Sequence, residues 1–222
     1  MAQLQSTTVT GNIAVSENYL GSVIKTDTTT PTDFRLITGA AKTLVLDTVI
    51  YEDLQFPIAS GKVPAANYPT WETFTPNTMG YAFSVDDYID LQGGELPHCW
   101  KQGTNGDVHL HFTIKTAQTT GANRYAKFSV WVAYADSDEV WVEQSVMSAE
   151  KTIPTASGAL TNFYLDIGDA TLANYLIGGQ IKMRVKRIAA TGGTEYADDV
   201  YITQVGMHLQ NDTMGSRSET TK

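Results

Sequence analysis

Hydrophobic and polar residues alternate along most of the chain from residue 43 onward, with the two-residue period of a β-strand. Residues 180–190 are an example, because Ile181, Met183 and Val185 would share one side of a strand. The alternating stretches are short and are bounded by Gly, Pro, Asn or Asp, which favour turns. Eight strands are predicted in this way, within residues 43–56, 81–91, 108–116, 124–135, 140–147, 161–167, 180–190 and 200–209.

Two segments interrupt the strand pattern. The prolines of residues 57–77 predict a long structured loop, because proline is excluded from the interior of a sheet. Residues 170–179 have the one helical spacing, with Leu172 and Tyr175 three apart and Gly178 as a stop. Many short strands with so little helix predict an all-β fold, an antiparallel β-sandwich, and among sandwiches they favour a jelly roll.

The two ends of the chain differ from this β-rich middle. Residues 1–42 contain nine threonines and few large apolar side chains. Within them, Thr26–Asp33 is predicted to be a spacer, because it cannot bury enough apolar surface to offset the entropy of ordering. We predict a Thr-rich, extended N-terminal arm over residues 1–42, ordered only against a partner, with loose padding as the alternative. The sandwich domain is predicted over residues 43–212 and a polar C-terminal tail over residues 213–222.

The charge is acidic and unevenly distributed. The formal net charge is −9, which argues against nucleic acid or an anionic membrane as the main partner. Between Asp47 and Glu95, eight carboxylates are opposed by one lysine, so this half supplies −7. The basic ladder, Lys182, Arg184 and Lys186, is either a solvated face or a docking face for the acidic half of a second copy.

Cysteine content and hydrophobic runs restrict the compartment. The single cysteine, Cys99, excludes an internal disulfide framework. The N-terminus lacks the basic start and apolar core of a signal peptide, and no apolar run approaches the roughly 18 residues of a membrane span. We therefore expect a soluble protein that is made in a cytoplasm.

The segment of greatest chemical interest is residues 95–115, which hold three of the four histidines and the only cysteine. His109 and His111 lie two apart in a predicted strand and should point the same way. His98 could join them if the chain folds back at residues 103–106. Because a catalytic zinc or iron site needs about three protein ligands, His98, His109 and His111 are candidate metal ligands. The alternative is that they hydrogen-bond or stack within the fold.

Part of this segment resembles the first motif of the cupins, which are metal-binding jelly rolls. Residues 103–111 fit Gly-X5-His-X-His, but Lys115 and Thr116 stand where the cupin pattern asks for glutamate. The fourth histidine, His208, lies inside a predicted strand and not in the Gly/Pro-rich turn of a second cupin motif. A cupin-like metal-binding enzyme is therefore an alternative with an incomplete motif.

Other chemistry has less support. Cys99 directly follows His98, but successive side chains diverge on extended backbone, and no Gly-X-Ser-X-Gly elbow, Walker loop or Rossmann fingerprint occurs. Aromatic side chains around the proline-rich loop could be sugar platforms in a carbohydrate- or receptor-binding appendage, interface anchors, or ordinary packing. They are Tyr68, Trp71, Phe74, Tyr81 and Tyr88.

A second resemblance covers more of the chain. Residues 95–104 read Glu-Leu-Pro-His-Cys-Trp-Lys-Gln-Gly-Thr and lead into a His-Leu-His strand, and residues 215–217 read Gly-Ser-Arg. With Leu-Gln-Phe-Pro at residues 54–57 and Tyr-Ala-Phe at residues 81–83, this resembles a group of small structural proteins of tailed-bacteriophage virions.

The resemblance implies a multimeric β-sandwich virion component without catalytic activity. We expect a capsid decoration or cement protein, a head fibre or a tail-associated protein, located in the virion and forming a homo-oligomer, with a trimer as the expected state. Its partners would be other capsid or tail subunits, with no nucleic acid, no membrane and no cofactor.

Overall fold

The computed structural model describes residues 22–25, 33–36, 44–119, 121–144, 146–172, 174–213 and 215. Within these residues the chain forms thirteen β-strands and one short 3-10 helix, Ile58–Ser60. The strands are β1 (Ser22–Lys25), β2 (Asp33–Leu36), β3 (Leu44–Phe56), β4 (Thr70–Thr75), β5 (Thr78–Phe83), β6 (Tyr88–Leu91), β7 (Gly106–Ile114), β8 (Arg124–Ala135), β9 (Val142–Glu143), β10 (Met147–Ile153), β11 (Asn162–Ala170), β12 (Gln180–Ile188) and β13 (Val200–Thr213). The all-β prediction is confirmed.

The strands form two antiparallel sheets, which pack face to face as a sandwich. The large sheet has eight strands, with β3, β13, β7 and β11 side by side, β2 and β1 beyond β3, and the β4–β5 hairpin beside the start of β13. The small sheet has five strands, with β6, β12, β8 and β10 side by side and β9 next to β8.

The connection between the strands is that of a jelly roll. Of the eight strands at the centre of the two sheets, the first pairs with the last, β3 with β13, and the second with the second-last, β6 with β12. The third and fourth follow the same rule, β7 with β11 and β8 with β10. Such nested pairing, divided between two four-stranded sheets, gives the double Greek key of the jelly roll. The sequence-based preference for this fold is confirmed.

The core lies between the two sheets and takes every second residue of the facing strands. On β7 these are Val108, Leu110, Phe112 and Ile114, all fully buried. The facing residues of the small sheet share this burial and include Phe128, Val130, Val132, Ile181, Met183 and Val185. Burial of apolar side chains from both sheets stabilises the sandwich by about 1.5–3 kcal/mol for each large side chain.

One inward position of β12 is basic. Arg187 follows Val185 on the buried row and is 1% exposed. Its guanidinium donates hydrogen bonds to the carbonyl oxygens of Phe83 (2.8 Å) and Tyr196 (2.6 Å) and to the carboxylate of Glu195 (2.9 Å). These oxygens compensate for the lost hydration of the charge, so the arginine fastens the loop before β13 to the sandwich.

Two local predictions were wrong. Residues 170–179 contain turns where a helical turn was expected, because the N–H of Leu176 donates to the Tyr134 hydroxyl (3.2 Å) and is not available to a carbonyl one turn earlier. Residues 57–77 are not entirely loop, because β4 lies within them. Pro69 and Pro76 flank β4 and do not interrupt it, so they leave its hydrogen bonding intact.

Part of the predicted N-terminal arm is included in the large sheet. β1 pairs with β2, and β2 pairs with β3. The rest of residues 1–42 lies outside the described residues, and the arm's role in attachment stays a prediction. β13 continues to Thr213, and residues 216–222 of the predicted tail are also outside them.

The described part of the chain contains no helix that is long and apolar enough to cross a membrane.

Candidate functional site on the outer face of the large sheet

The chemically richest surface is the outer face of the large sheet. Strand pairing places His109 of β7 opposite Asp166 of β11 and Gly206 of β13. It also places His208 of β13 between Asp107 of β7 and Asp53 of β3. Four strands that are distant in sequence therefore contribute to one cluster of histidines and carboxylates.

His109 is 1% exposed, although it points away from the core between the sheets. Its ring stacks on that of His208, with centroids 4.1 Å apart, and on Tyr164 at 5.5 Å. A Cβ at position 206 would be 2.8 Å from two atoms of the His109 ring, so glycine at this position makes room for the imidazole. The His109 Nδ1 atom is buried and has no hydrogen-bond partner.

His208 is held between two carboxylates. Its Nε2 atom is 2.9 Å from Asp53 Oδ1, and its Nδ1 atom is 3.2 Å from Asp107 Oδ2. Carboxylate oxygens only accept hydrogen bonds when ionised, so an N–H on either ring nitrogen can donate to the carboxylate that faces it. The His208 side chain is 32% exposed and Asp53 37%, so solvent reaches this end of the cluster.

The environment changes the acidity of the buried members. Burial lowers the pKa of His109, and the positive charge of a protonated His208 or His111 would lower it further. Burial raises the pKa of Asp107, and the nearby Asp166 acts in the same direction, while the hydrogen bond to His208 opposes the rise. Both effects follow from moving charges out of water and next to like charges.

A depression of about 670 Å³ opens beside His208. Its lining includes three carboxylates and, among the described residues, no lysine or arginine. The lining residues are Tyr51, Asn105, Asp107, Asp166, Gly168, Asp169, His208 and Gln210. The depression is therefore a region of negative potential that leads to the histidines.

The structure groups the histidines differently from the sequence-based expectation. His109 and His111 do share a face, with ring centroids 5.8 Å apart. The set with ligand atoms within 4.8 Å of one another is, however, Asp53, His109 and His208. His98 and His111 are not in that set. His208 lies inside a strand, where no local motif indicates a ligand, and only the register of β13 against β3 and β7 brings it to His109.

Residues 95–100, which include His98, form a strap that joins the two sheets. Glu95 bridges to Gln180 of β12 in the small sheet, and Trp100 bridges to Asn211 of β13 in the large sheet. Trp100 is fully buried. Cys99 Sγ lies 3.1 Å from Glu52 Oε2, and its S–H can donate to that carboxylate. Glu95, Cys99 and Trp100 of this strap therefore have structural contacts with the two sheets.

The outer face of the small sheet carries the predicted basic ladder. Arg184 donates two hydrogen bonds to the carboxylate of Asp90, at 2.5 and 2.8 Å, and Lys186 Nζ is 2.7 Å from Asp86. Lys182 lies over the Trp141 ring at 4.8 Å. Both carboxylates belong to the acidic half of the same chain, so the ladder's partners are intramolecular.

Beside this ladder is a second depression, of about 620 Å³. Two indole rings, Trp131 and Trp141, contribute to its lining together with Asp90, Glu143 and Arg184. Of the predicted loop aromatics, Tyr88 lies under Arg184 of this ladder, with its ring centroid 4.4 Å from the guanidinium carbon. Three others lie elsewhere. Trp71 and Tyr81 form an edge-on pair on the β4–β5 hairpin, and Phe74 makes the same kind of contact with Tyr201.

No protein-family profile and no curated protein matches the sequence. Among solved structures, the chain is similar to a family 29 carbohydrate-binding module from Piromyces equi, at 12% identity and a TM-score of 0.31, over 73% of this chain and 89% of that one. It is also similar to chains of infectious bursal disease virus, Gx and Gt strains, at 10% and 11% identity and a TM-score of 0.29.

The viral matches cover 86% of this chain but only 41% and 43% of the viral chains. At these TM-scores the likenesses carry no argument about function.

Proposed function

We propose that this chain is a non-enzymatic structural component of a tailed-phage virion, such as a capsid decoration or cement protein, a head fibre or a tail-associated protein. It acts as a homo-oligomer, with a trimer as the expected state, and its partners are other virion proteins. Assembly buries apolar surface of the sandwich and orders the N-terminal segment against neighbours.

The observation that carries the proposal is an apolar surface at the connection between β8 and β10. Val140 is 84% exposed, Val142 52%, Val146 51% and Trp141 39%. Four large apolar side chains within seven residues are costly to leave in water, and such clusters mark contact surfaces in assembled proteins. The resemblance to virion proteins gives this surface its expected partner, another subunit of the particle.

A structural role for the shared motif also supports the proposal. In the strap, Leu96 and Trp100 are fully buried, and both belong to the motif that resembles the virion proteins. These two residues of the motif therefore contribute to the packing of the sandwich.

The assembly test compares two variants that add the same charge. Val140→Asp with Val146→Asp places two carboxylates in the apolar surface, whereas Ala117→Asp with Thr119→Asp places them at exposed positions of another loop. Light scattering after size exclusion should give an oligomer for the wild type and the control, and a smaller species for the first variant. A monomeric wild type, or equal masses for all three proteins, would contradict the proposal.

The virion assignment is tested on particles of the phage that encodes the chain. The protein should be present in purified particles at a fixed ratio to the major subunits. A variant without residues 1–42 should fold, as judged by circular dichroism, but should be missing from the particles. If the truncated protein is incorporated normally, the attachment role of the N-terminal segment is wrong.

A second function, a carbohydrate- or receptor-binding appendage, is favoured by the depression that contains Trp131 and Trp141. Indole faces stack on the apolar C–H faces of sugar rings, and the neighbouring Asp90–Arg184 pair offers acceptors and donors for hydroxyl groups. A glycan array with the wild type and with Trp131→Ala would test it. Binding that the substitution abolishes supports this function, and binding to no glycan removes it.

A further inference from the structure

The Asp53, His109 and His208 cluster has the composition of a transition-metal site. Two imidazoles and one carboxylate are a ligand set that zinc and similar divalent ions prefer, whereas calcium and magnesium prefer oxygen ligands alone. The three residues come from β3, β7 and β13, and their ligand atoms all lie within 4.8 Å of one another. We propose that Asp53, His109 and His208 bind one divalent transition-metal ion, such as zinc, on the outer face of the large sheet.

The distances suit an ion with only small side-chain movements. Nitrogen and oxygen ligands lie about 2.0–2.2 Å from zinc, so two ligand atoms at a tetrahedral angle are about 3.3 Å apart. Asp53 Oδ1 and His208 Nε2 are now 2.9 Å apart, and no pair of the three ligand atoms exceeds 4.8 Å. Shifts on the order of 1 Å, together with rotation of the His109 and His208 rings out of their present stack, would complete the geometry. Because the ligands are on paired strands of one sheet, no backbone rearrangement is needed.

The contacts of His208 have the arrangement found around metal-bound histidines. A ligating imidazole usually donates its other ring N–H to a carboxylate, which fixes the tautomer and the ring orientation. Here Nδ1 of His208 faces Asp107 Oδ2 at 3.2 Å, and Nε2 faces Asp53 Oδ1. With one hydrogen on Nδ1, the lone pair of Nε2 would face a negative oxygen. A metal ion between these two atoms removes that repulsion, as a second proton would.

His109 supplies an independent observation. His109 is 1% exposed, and its Nδ1 atom makes no hydrogen bond. An unpaired buried nitrogen costs about 1–3 kcal/mol, and binding of the ion by this nitrogen would remove that cost.

Access and charge favour the same interpretation. The depression lined by Asp107, Asp166 and Asp169 lies next to His208 and concentrates cations from solvent. Of the three proposed ligands, His208 lines this depression, so an ion entering there would meet His208 before the buried His109. It would connect β3, β13 and β7, and so tie together three of the four central strands of the large sheet.

The test uses tag-free, full-length protein that has been treated with a chelator and then titrated with Zn²⁺ in a calorimeter. The wild type should bind one Zn²⁺ per chain, and excess Mg²⁺ or Ca²⁺ should not displace it. Asp53→Asn and His208→Gln should lose stoichiometric binding. His111→Ala is the matched control, because His111 shares the face but lies outside the ligand set, and it should bind Zn²⁺ as the wild type does.

A further variant separates ligation from general negative charge. Asp107→Asn keeps the shape of the group that orients His208 and should weaken Zn²⁺ binding about 10–100-fold without abolishing it. Asp169→Asn, on the far side of the depression, should change the affinity much less.

Thermal unfolding gives a second readout in the same samples. Saturating Zn²⁺ should raise the midpoint of the wild type and of His111→Ala, and leave Asp53→Asn unchanged. Circular dichroism without metal checks that every variant is folded. The proposal is overturned if the wild type binds no Zn²⁺, or if Asp53→Asn and His208→Gln bind it as tightly as the wild type.

Discussion

Strands β7 and β12 have the same length and the same alternating pattern, yet they differ in how far their outward residues are exposed to solvent. Each has nine residues and lies at the centre of one sheet. On β12 the outward residues Lys182 and Arg184 are exposed, whereas on β7 the outward residues His109 and Thr113 are 1% and 2% exposed. Period-two alternation therefore distinguishes the two sides of a strand, but it does not determine whether the outward side reaches water.

Neighbouring strands cause the difference. On the small sheet, the long basic side chains extend away from the strand and end on carboxylates or aromatic rings near the surface. On the large sheet, Gly206 leaves space into which His109 folds, and Tyr164 and His208 cover it. A short aromatic side chain next to a glycine can be buried on the outer face of a sheet. A long, charged lysine side chain instead stays in contact with solvent.

The largest expected effect concerns the inner row of β12. Arg187→Met should lower the free energy of unfolding by about 3–5 kcal/mol, because it leaves the Glu195 carboxylate and buried carbonyls without a donor. Arg184→Met, on the outer row of the same strand, should lower it by about 1 kcal/mol or less, since its pair with Asp90 is 43–44% exposed. Urea unfolding measures both. Equal losses would mean that the inner and outer rows do not differ as the structure requires.

The next effect concerns the glycine that accommodates His109. Gly206→Val should destabilise the fold by about 1–3 kcal/mol, because the new side chain occupies the position of the His109 ring. Gln204→Val, also on β13, changes β-propensity without such a clash and should have an effect within about 0.5 kcal/mol. Chemical unfolding of the two variants compares them. A neutral Gly206→Val would show that His109 can leave its buried position at little cost.

A smaller effect is expected in the pH dependence of the free energy of unfolding. The burial of His109 determines whether this free energy rises or falls with pH. Burial lowers its folded pKa below the ordinary 6.5, so the unfolded chain binds more protons in that window. Its contribution to stability is complete above about pH 6.5 and is lost as the pH falls toward the folded pKa. The charged groups facing it are His208, His111, Asp53 and Asp107, and the raised pKa of Asp107 acts in the opposite direction, favouring the fold in acid.

His109→Phe isolates this contribution. Between about pH 7.5 and about pH 5.5 the wild type should lose more unfolding free energy than the variant does. The measurement is urea unfolding at both values. Identical pH profiles would mean that the burial of His109 has no energetic consequence.

The smallest effect is expected on the exposed face of the small sheet. Lys182→Gln removes the cation above the Trp141 ring and should cost about 0.5–1 kcal/mol at low salt. Salt screens exposed charges, so the wild type and the variant should converge near 1 M salt. A salt-independent difference would indicate a packing contribution from the lysine stem.

The site was predictable only in part from the sequence. The His-X-His spacing was sufficient to place His109 and His111 on one face, because strand geometry is local. His208 and Asp53 could not be assigned, since they lie 99 and 56 residues from His109 and meet it only through strand register. The prediction of a helical turn at residues 170–179 was wrong for a similar reason. The N–H of Leu176 donates to the hydroxyl of Tyr134, which belongs to the distant strand β8.

The sequence by itself determined the all-β class, the positions of most strands and the two sides of each strand, because these depend on residue types and on a period of two. Only the tertiary structure decided which strands are neighbours. The pairing of β13 with β3 on one side and with β7 on the other joins Asp53, His109 and His208. Register between distant strands depends on the packing of the whole core and on single residues such as Gly206, and no local pattern contains that information.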